Sequence, residues 1–269
     1  MLFALTLTTL AGLSTGLGGL VVLLFKRPRA RMMAFSMGFA GGVMLTVSLS
    51  DMLPHTVETY SDTMGRFPAA LASASLCVMG MLIALLLERC IPDEKELAAR
   101  PDGHAARGTP AINPGALRSA MVTTAAIVLH NLPEGMAVGL SFALAAQDGE
   151  ASTLAGALAL AIGIGLQNFP EGAAISLPLR QEGLTRTRSF VYGALSGVVE
   201  PIGGVLTVFL AGSIAPLMPW LLAFAAGAMI YVVVEELIPE AQLGEHSHVG
   251  TAGVLIGFVV MMVLDVALG

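Results

Sequence analysis

Charge is scarce in this sequence. Asp, Glu, Lys and Arg supply 12% of its 269 residues, about half the ~25% of an ordinary soluble domain. That leaves too little polar surface to face water on every side. Cysteine is nearly missing too: Cys77 lies inside an apolar run and Cys90 at its end. Two such residues exclude both a disulfide framework and a thiolate-rich metal site. The net charge of −6 says little by itself, because its distribution along the chain matters more than its sum. No nucleic-acid partner is expected.

What the chain has in quantity is apolar length. Hydrophobic residues make up 55% of it, and the mean hydropathy is +0.82. Apolar runs of about 18 residues or more recur, and each reads as a bilayer-spanning helix. Eight spans are expected, at roughly 2–25, 32–54, 68–88, 117–146, 152–178, 189–213, 217–240 and 249–268. The first could pass for a signal peptide, but Lys26, Arg27, Arg29 and Arg31 follow the apolar stretch instead of preceding it. It reads as a retained span. The longest hydrophilic connection, about 89–116, holds Asp93-Glu94-Lys95-Glu96 and a Pro/Gly/Arg-rich stretch up to Pro114, and reads as a flexible cytoplasmic loop. The fold class is an all-α polytopic membrane protein, one transmembrane domain over 1–269, embedded in a lipid bilayer.

The basic residues give the orientation. With the N-terminus outside, the inner loops and their flanks hold every Lys and Arg of the 13 except Arg66. Basic residues collect on the cytoplasmic side of membrane proteins, and removing one span would scramble this distribution. Both termini then lie on the outer side.

Two repeats lie within the spans. Phe39-Ala-Gly-Gly-Val-Met44 through Asp51-Met-Leu-Pro54 matches Phe224-Ala-Ala-Gly-Ala-Met229 through Glu236-Leu-Ile-Pro239. Spans 2 and 7 run in opposite directions, so spans 1–3 and 6–8 form an inverted repeat around spans 4 and 5, a 3+2+3 arrangement. Such repeats mark transporters, in which one part moves against the other around a midplane site. The second repeat sets Leu129-His-Asn-Leu-Pro-Glu-Gly135 against Leu166-Gln-Asn-Phe-Pro-Glu-Gly172.

That second repeat puts His130, Asn131 and Glu134 in span 4 and Gln167, Asn168 and Glu171 in span 5, while Glu200 lies in span 6. Ionisable groups at membrane depth are costly and mark an ion or substrate path. At about 100° per residue, Glu134 lies about 40° from His130 and about 60° from Asn131. It can share one ion with the first and another with the second, and span 5 repeats the pattern. Pro133, Pro170 and Pro201 each remove a helical hydrogen bond, and the helix breaks expected beside three carboxylates point to a hydrated cavity with extra oxygen ligands. Imidazole, carboxylate and amide without thiolate suit Zn²⁺ and, less selectively, Fe²⁺, Mn²⁺, Co²⁺ or Cd²⁺. His130 tilts the choice away from Ca²⁺ and Mg²⁺.

Other polar residues remain open. Asp51, Glu235, Glu236 and Glu240 are either interfacial charges or access and release points for an ion. Glu245-His246-Ser247-His248 on the inner side, and His55 with Glu58 on the outer, read first as solvated and second as metal-relay or sensing clusters. Asp265 stands alone without a role. Gly12-x-x-x-Gly16, Gly38-x-x-x-Gly42 and Gly193-x-x-x-Gly197 read as close helix packing. Two rival functions are a membrane-embedded metallohydrolase and a metal-sensing scaffold. The first lacks a His-Glu-x-x-His pattern, and the amide-containing ligand set argues against the second.

The paired Pro-Glu-Gly segments, with Val199-Glu200-Pro201 following, resemble the ZIP (Zrt/Irt-like) family of divalent metal transporters, particularly its bacterial members, over essentially the whole chain. The resemblance implies a non-enzymatic carrier, with no cofactor and with zinc as cargo, importing across the bacterial inner membrane with periplasmic termini. It implies a homodimer and alternating access, in which spans 1, 4, 5 and 6 move against 2, 3, 7 and 8. His130, Glu134, Gln167, Glu171 and Glu200 would line a transport site, Asn131 and Asn168 would help a second adjacent ion, and Met44 would add a soft contact. Many relatives carry histidine where this chain has Gln167, and their loop between spans 3 and 4 is often histidine-rich where this one has only His104.

Overall fold

The computed structural model describes residues 2–24, 29–90, 114–148, 151–181, 183–242 and 247–268. Their regular structure is helical throughout, with no strand among the described residues. The chain runs through α1 (Leu2–Leu24), α2 (Ala30–Thr46), α3 (Leu53–Met64), α4 (Arg66–Cys90), α5 (Pro114–Asp148) and α6 (Ala151–Gln181). It continues through α7 (Arg186–Ser196), α8 (Val199–Ile214), α9 (Met218–Val232), α10 (Ile238–Ala241) and α11 (Ser247–Leu268). Most of the expected 89–116 loop lies outside the described residues.

Among the described residues, five stretches are long and apolar enough to cross a membrane: Thr6–Leu24, Ala30–Met64, Arg66–Cys90, Arg186–Leu210 and Gly212–Ala241. A shorter apolar helix covers His248–Leu264. The helices α5 and α6 have 35 and 31 residues, so they reach about 50 and 45 Å at 1.5 Å per residue, beyond a hydrocarbon core of about 30 Å. Leu13, Leu17, Phe67, Leu82, Phe209 and Val266 point outward and are each more than half exposed. Apolar surface on that scale matches a lipid environment and not water.

The first repeat has a structural counterpart. A π turn, Val47–Met52, joins α2 to α3, and a second, Val233–Leu237, joins α9 to α10. Each ends just before a proline, Pro54 or Pro239. A proline ring inside a helix collides with the carbonyl four residues back, here that of Ser50 or Glu235. Widening the turn by one residue relieves the collision without ending the helix. The helix containing span 2 therefore does not stop at Pro54, as the sequence reading expected. It continues to Met64 and ends at Gly65, whose φ of +86° suits only glycine. Pro133 and Pro170 also sit within unbroken helices, so of the three expected breaks only the one beside Pro201 appears, as the turn between α7 and α8.

Packing sets α5 and α6 side by side at the centre. On one side they meet α1, α7 and α8; on the other, α2 and α9. α11 lies along α2, and α4 along α9. The expected glycine contacts occur: a Cβ at Gly12 would meet the Gly197 carbonyl oxygen at 2.4 Å, and one at Gly38 that of Gly250 at 2.2 Å. The largest core cluster joins Met44, Met52 and Met229 to Ile127, Ala174 and Ile175, so methionine and small side chains fill the space between the two sides.

Candidate metal site

The central pair carries the site because each Pro-Glu-Gly segment admits a third helix beside its glutamate. A Cβ at Gly135 would lie 2.2 Å from the Glu200 carbonyl oxygen, and one at Gly172 would lie 1.9 Å from that of Thr15. Only a bare glycine permits backbones that close. Gly135 therefore brings the start of α8, which carries Glu200, against α5; Gly172 brings α1, which carries Thr15, against α6.

Asn131, Glu134, Gln167, Asn168, Glu171 and Glu200 are each at most 2% exposed. Gln167 Nε2 donates to Glu134 Oε1 at 2.5 Å, which joins the two repeat halves directly. Asn168 Nδ2 donates to Glu200 Oε2 at 2.8 Å and to the Ala11 carbonyl at 3.1 Å. Thr15 Oγ1 donates to the other Glu200 oxygen at 3.4 Å. Asn131 Nδ2 donates to the Ser196 carbonyl at 3.3 Å, one turn before Glu200. Glu171 is buried at the same depth of α6, one turn after Asn168. Asn168 Oδ1 is buried without a hydrogen-bond partner. An orphaned carbonyl oxygen beside two acidic groups is a place where a cation lowers the energy.

Among the described residues no three His, Cys, Asp or Glu side chains converge as a metal cluster; the donor set mixes carboxylates with amides. The side chains of His130 and Asp51 lie outside the described residues, although both backbones are helical. Met44 belongs to the core with its repeat mate Met229, and Ser48 Oγ touches both, at the Met44 carbonyl (2.9 Å) and the Met229 sulfur (3.7 Å). Glu235, Glu236 and Glu240 lie far along their helix: Glu235 is about 25 Å of helix from Met218.

A cavity of about 250 Å³ ends at Glu134 and Gln167. Its walls include Ala137, Leu140 and Ser141 of α5, then Leu160 and Ile164 of α6, so it leads towards the end of the bundle where α5 gives way to α6. His55 of α3 also lines it. Thr15 and His55 are site neighbours that the sequence does not place among the transport-site residues. Thr15 had a signal, a hydroxyl set between the glycines of a packing motif. His55 was legible only together with Glu58, as a pair read first as solvated, because the helix was expected to stop at Pro54.

A bundle of apolar helices with acidic side chains buried at its centre is the build of a membrane protein that handles cations. A profile of the family described as ZIP Zinc transporter matches residues 93–265. The chain is 36% identical to zinc transporter ZIP11 of Homo sapiens, covering 95% of this chain and 94% of that protein. It is 36% identical to zinc transporter GufA of Myxococcus xanthus, covering 98% of each. With zinc transporter ZupT of Chlorobium limicola it shares 35% identity over 97% of this chain and 96% of the other. The chain belongs to the ZIP zinc transporter family and is a transporter, not an enzyme.

Proposed function

We propose that this chain carries Zn²⁺ across the plasma membrane into the cytoplasm, through a site formed by His130, Asn131, Glu134, Gln167, Asn168, Glu171 and Glu200. The observation that carries this reading is the orphaned, buried Asn168 Oδ1, on a side chain that is hydrogen-bonded to Glu200 and one turn from Glu171 on α6. Glu134, Gln167 and His130 would serve a second ion, with Glu171 shared, in a binuclear site. Fe²⁺, Mn²⁺, Co²⁺ and Cd²⁺ compete, since oxygen donors separate such ions poorly. Zinc is also the ion in the names of the relatives just described.

Eight spans in a 3+2+3 arrangement, with both termini periplasmic, complete the proposal. The paired π turns support the inverted repeat. The packing supports alternating access: α1 and α5–α8 adhere to one another, as do α2–α4 and α9–α11, with a methionine-rich seam between the groups. A homodimer agrees with the resemblance to the family. Asp51, Glu235, Glu236 and Glu240 serve access and release at the two ends.

The test is zinc uptake into proteoliposomes by the intact chain and by Glu171→Ala. Loss of uptake in a correctly inserted Glu171→Ala protein is expected. Uptake near that of the unmodified chain would remove Glu171 from the path.

A further inference from the structure

His55 is a metal-binding side chain that the buried cluster leaves unused. It is exposed at the rim of the cavity whose floor is Glu134 and Gln167. Its helix is pinned there. Thr56 Oγ1 donates to the Pro219 carbonyl at 2.5 Å, the Tyr60 hydroxyl donates to the Pro216 carbonyl, and the Tyr60 ring stacks on Trp220 with centroids 4.3 Å apart. Contacts in the turns that follow His55 therefore tie α3 to the start of α9, which holds the backbone of His55 beside the cavity it lines.

The cavity's contents follow from its size and walls. About 250 Å³ admits roughly eight waters at ~30 Å³ each, so an ion can enter with its hydration shell. Most of the wall is apolar, but Met52 and Met218 bring thioethers and Ser141 a hydroxyl that donates to the Val138 carbonyl at 2.8 Å. An ion crossing such a wall needs a protein ligand near the mouth, where its first waters are exchanged.

We infer that His55 is that ligand, the anchor of an outer capture site that holds a divalent transition-metal ion before it reaches Glu134 and Gln167. Imidazole and thioether favour Zn²⁺, Cd²⁺ or Co²⁺, whereas Mg²⁺ and Ca²⁺ keep to oxygen ligands. The capture site thus selects early, before the oxygen-rich centre where discrimination is poor. The inference rests on the reading that the cargo reaches Glu134 through this cavity.

Two measurements test it. Initial zinc uptake into proteoliposomes is followed against external zinc, in excess Mg²⁺, for the intact chain, His55→Ala, His55→Gln and Glu134→Ala. The half-saturating concentration should rise on the order of three- to tenfold in both His55 variants, by more than the maximal rate falls, while Glu134→Ala loses uptake. An unchanged half-saturating concentration in both His55 variants, with Glu134→Ala inactive, overturns the capture site and leaves the transport path standing. Full uptake by Glu134→Ala, or none by the intact chain, overturns the path and the capture site together. Independently of flux, Zn²⁺ but not Mg²⁺ should slow attack of a membrane-impermeant maleimide on the His55→Cys thiol, with Cys77 and Cys90 replaced by serine. Attack at the same rate with and without zinc overturns the capture site.

Discussion

Gln167 is the residue that sets the character of the centre. Its Nε2 is spent on Glu134, 2.5 Å away, so only the amide oxygen remains for an ion. That donor is harder than imidazole nitrogen and separates first-row divalent ions poorly. Replacing Gln167 by His offers a nitrogen ligand, though it removes the hydrogen bond to Glu134. We expect Gln167→His to shift the preference for Zn²⁺ over Mn²⁺ by about tenfold, or about 1.4 kcal/mol. Competition between the two ions during uptake measures it, and an unchanged ratio would mean that Gln167 does not touch the ion. The acidic and amide residues of this centre were legible in the sequence because polar side chains inside apolar runs need a reason to be there. Thr15 was harder to see, because a hydroxyl is common in a membrane helix and its partner Glu200 lies 185 positions away.

At the scale of the helix, the glycines of the two Pro-Glu-Gly segments matter more than the prolines. The prolines had announced breaks, yet α5 and α6 run straight through Pro133 and Pro170. The glycines have no side chain to signal their task, and only the packed structure reveals that they admit Glu200 and Thr15. A Cβ at Gly172 would overlap the Thr15 carbonyl at 1.9 Å, whereas one at Gly163, nine residues earlier on α6, would meet nothing within 4 Å. Gly172→Ala should therefore destabilise the protein by at least the ~1–3 kcal/mol of an overpacked core. Gly163→Ala should be neutral or stabilising by up to ~1 kcal/mol, from the helix preference for alanine. Thermal unfolding of the two variants in detergent compares them directly; equal midpoints would mean that α1 does not press on α6 as described. The π turns were illegible in outline but not in cause. Pro54 and Pro239 were visible, while the choice between stopping a helix and widening it depends on the neighbours that hold its far side.

The whole molecule reads as two groups of helices with the polar centre held mainly by one of them. Charge distribution along the chain carried the expectation of eight spans and their direction, since each basic loop records a crossing. The repeat at Phe39–Pro54 and Phe224–Pro239 carried the expected symmetry. The seam between the groups was not legible, because alanine and methionine look alike in sequence whether they face lipid, a fixed core or a sliding contact. The central claim is that the ion rests deep in the bundle among Glu134, Asn168, Glu171 and Glu200. Diffraction at the zinc absorption edge, on the full chain crystallised from lipid with Zn²⁺, tests that claim most directly. The account predicts anomalous density at two adjacent positions, one beside Gln167 and Glu134, the other beside Asn168 and Glu200, with Glu171 between them. Anomalous density confined to the bundle's surface, with none at this centre, would contradict it.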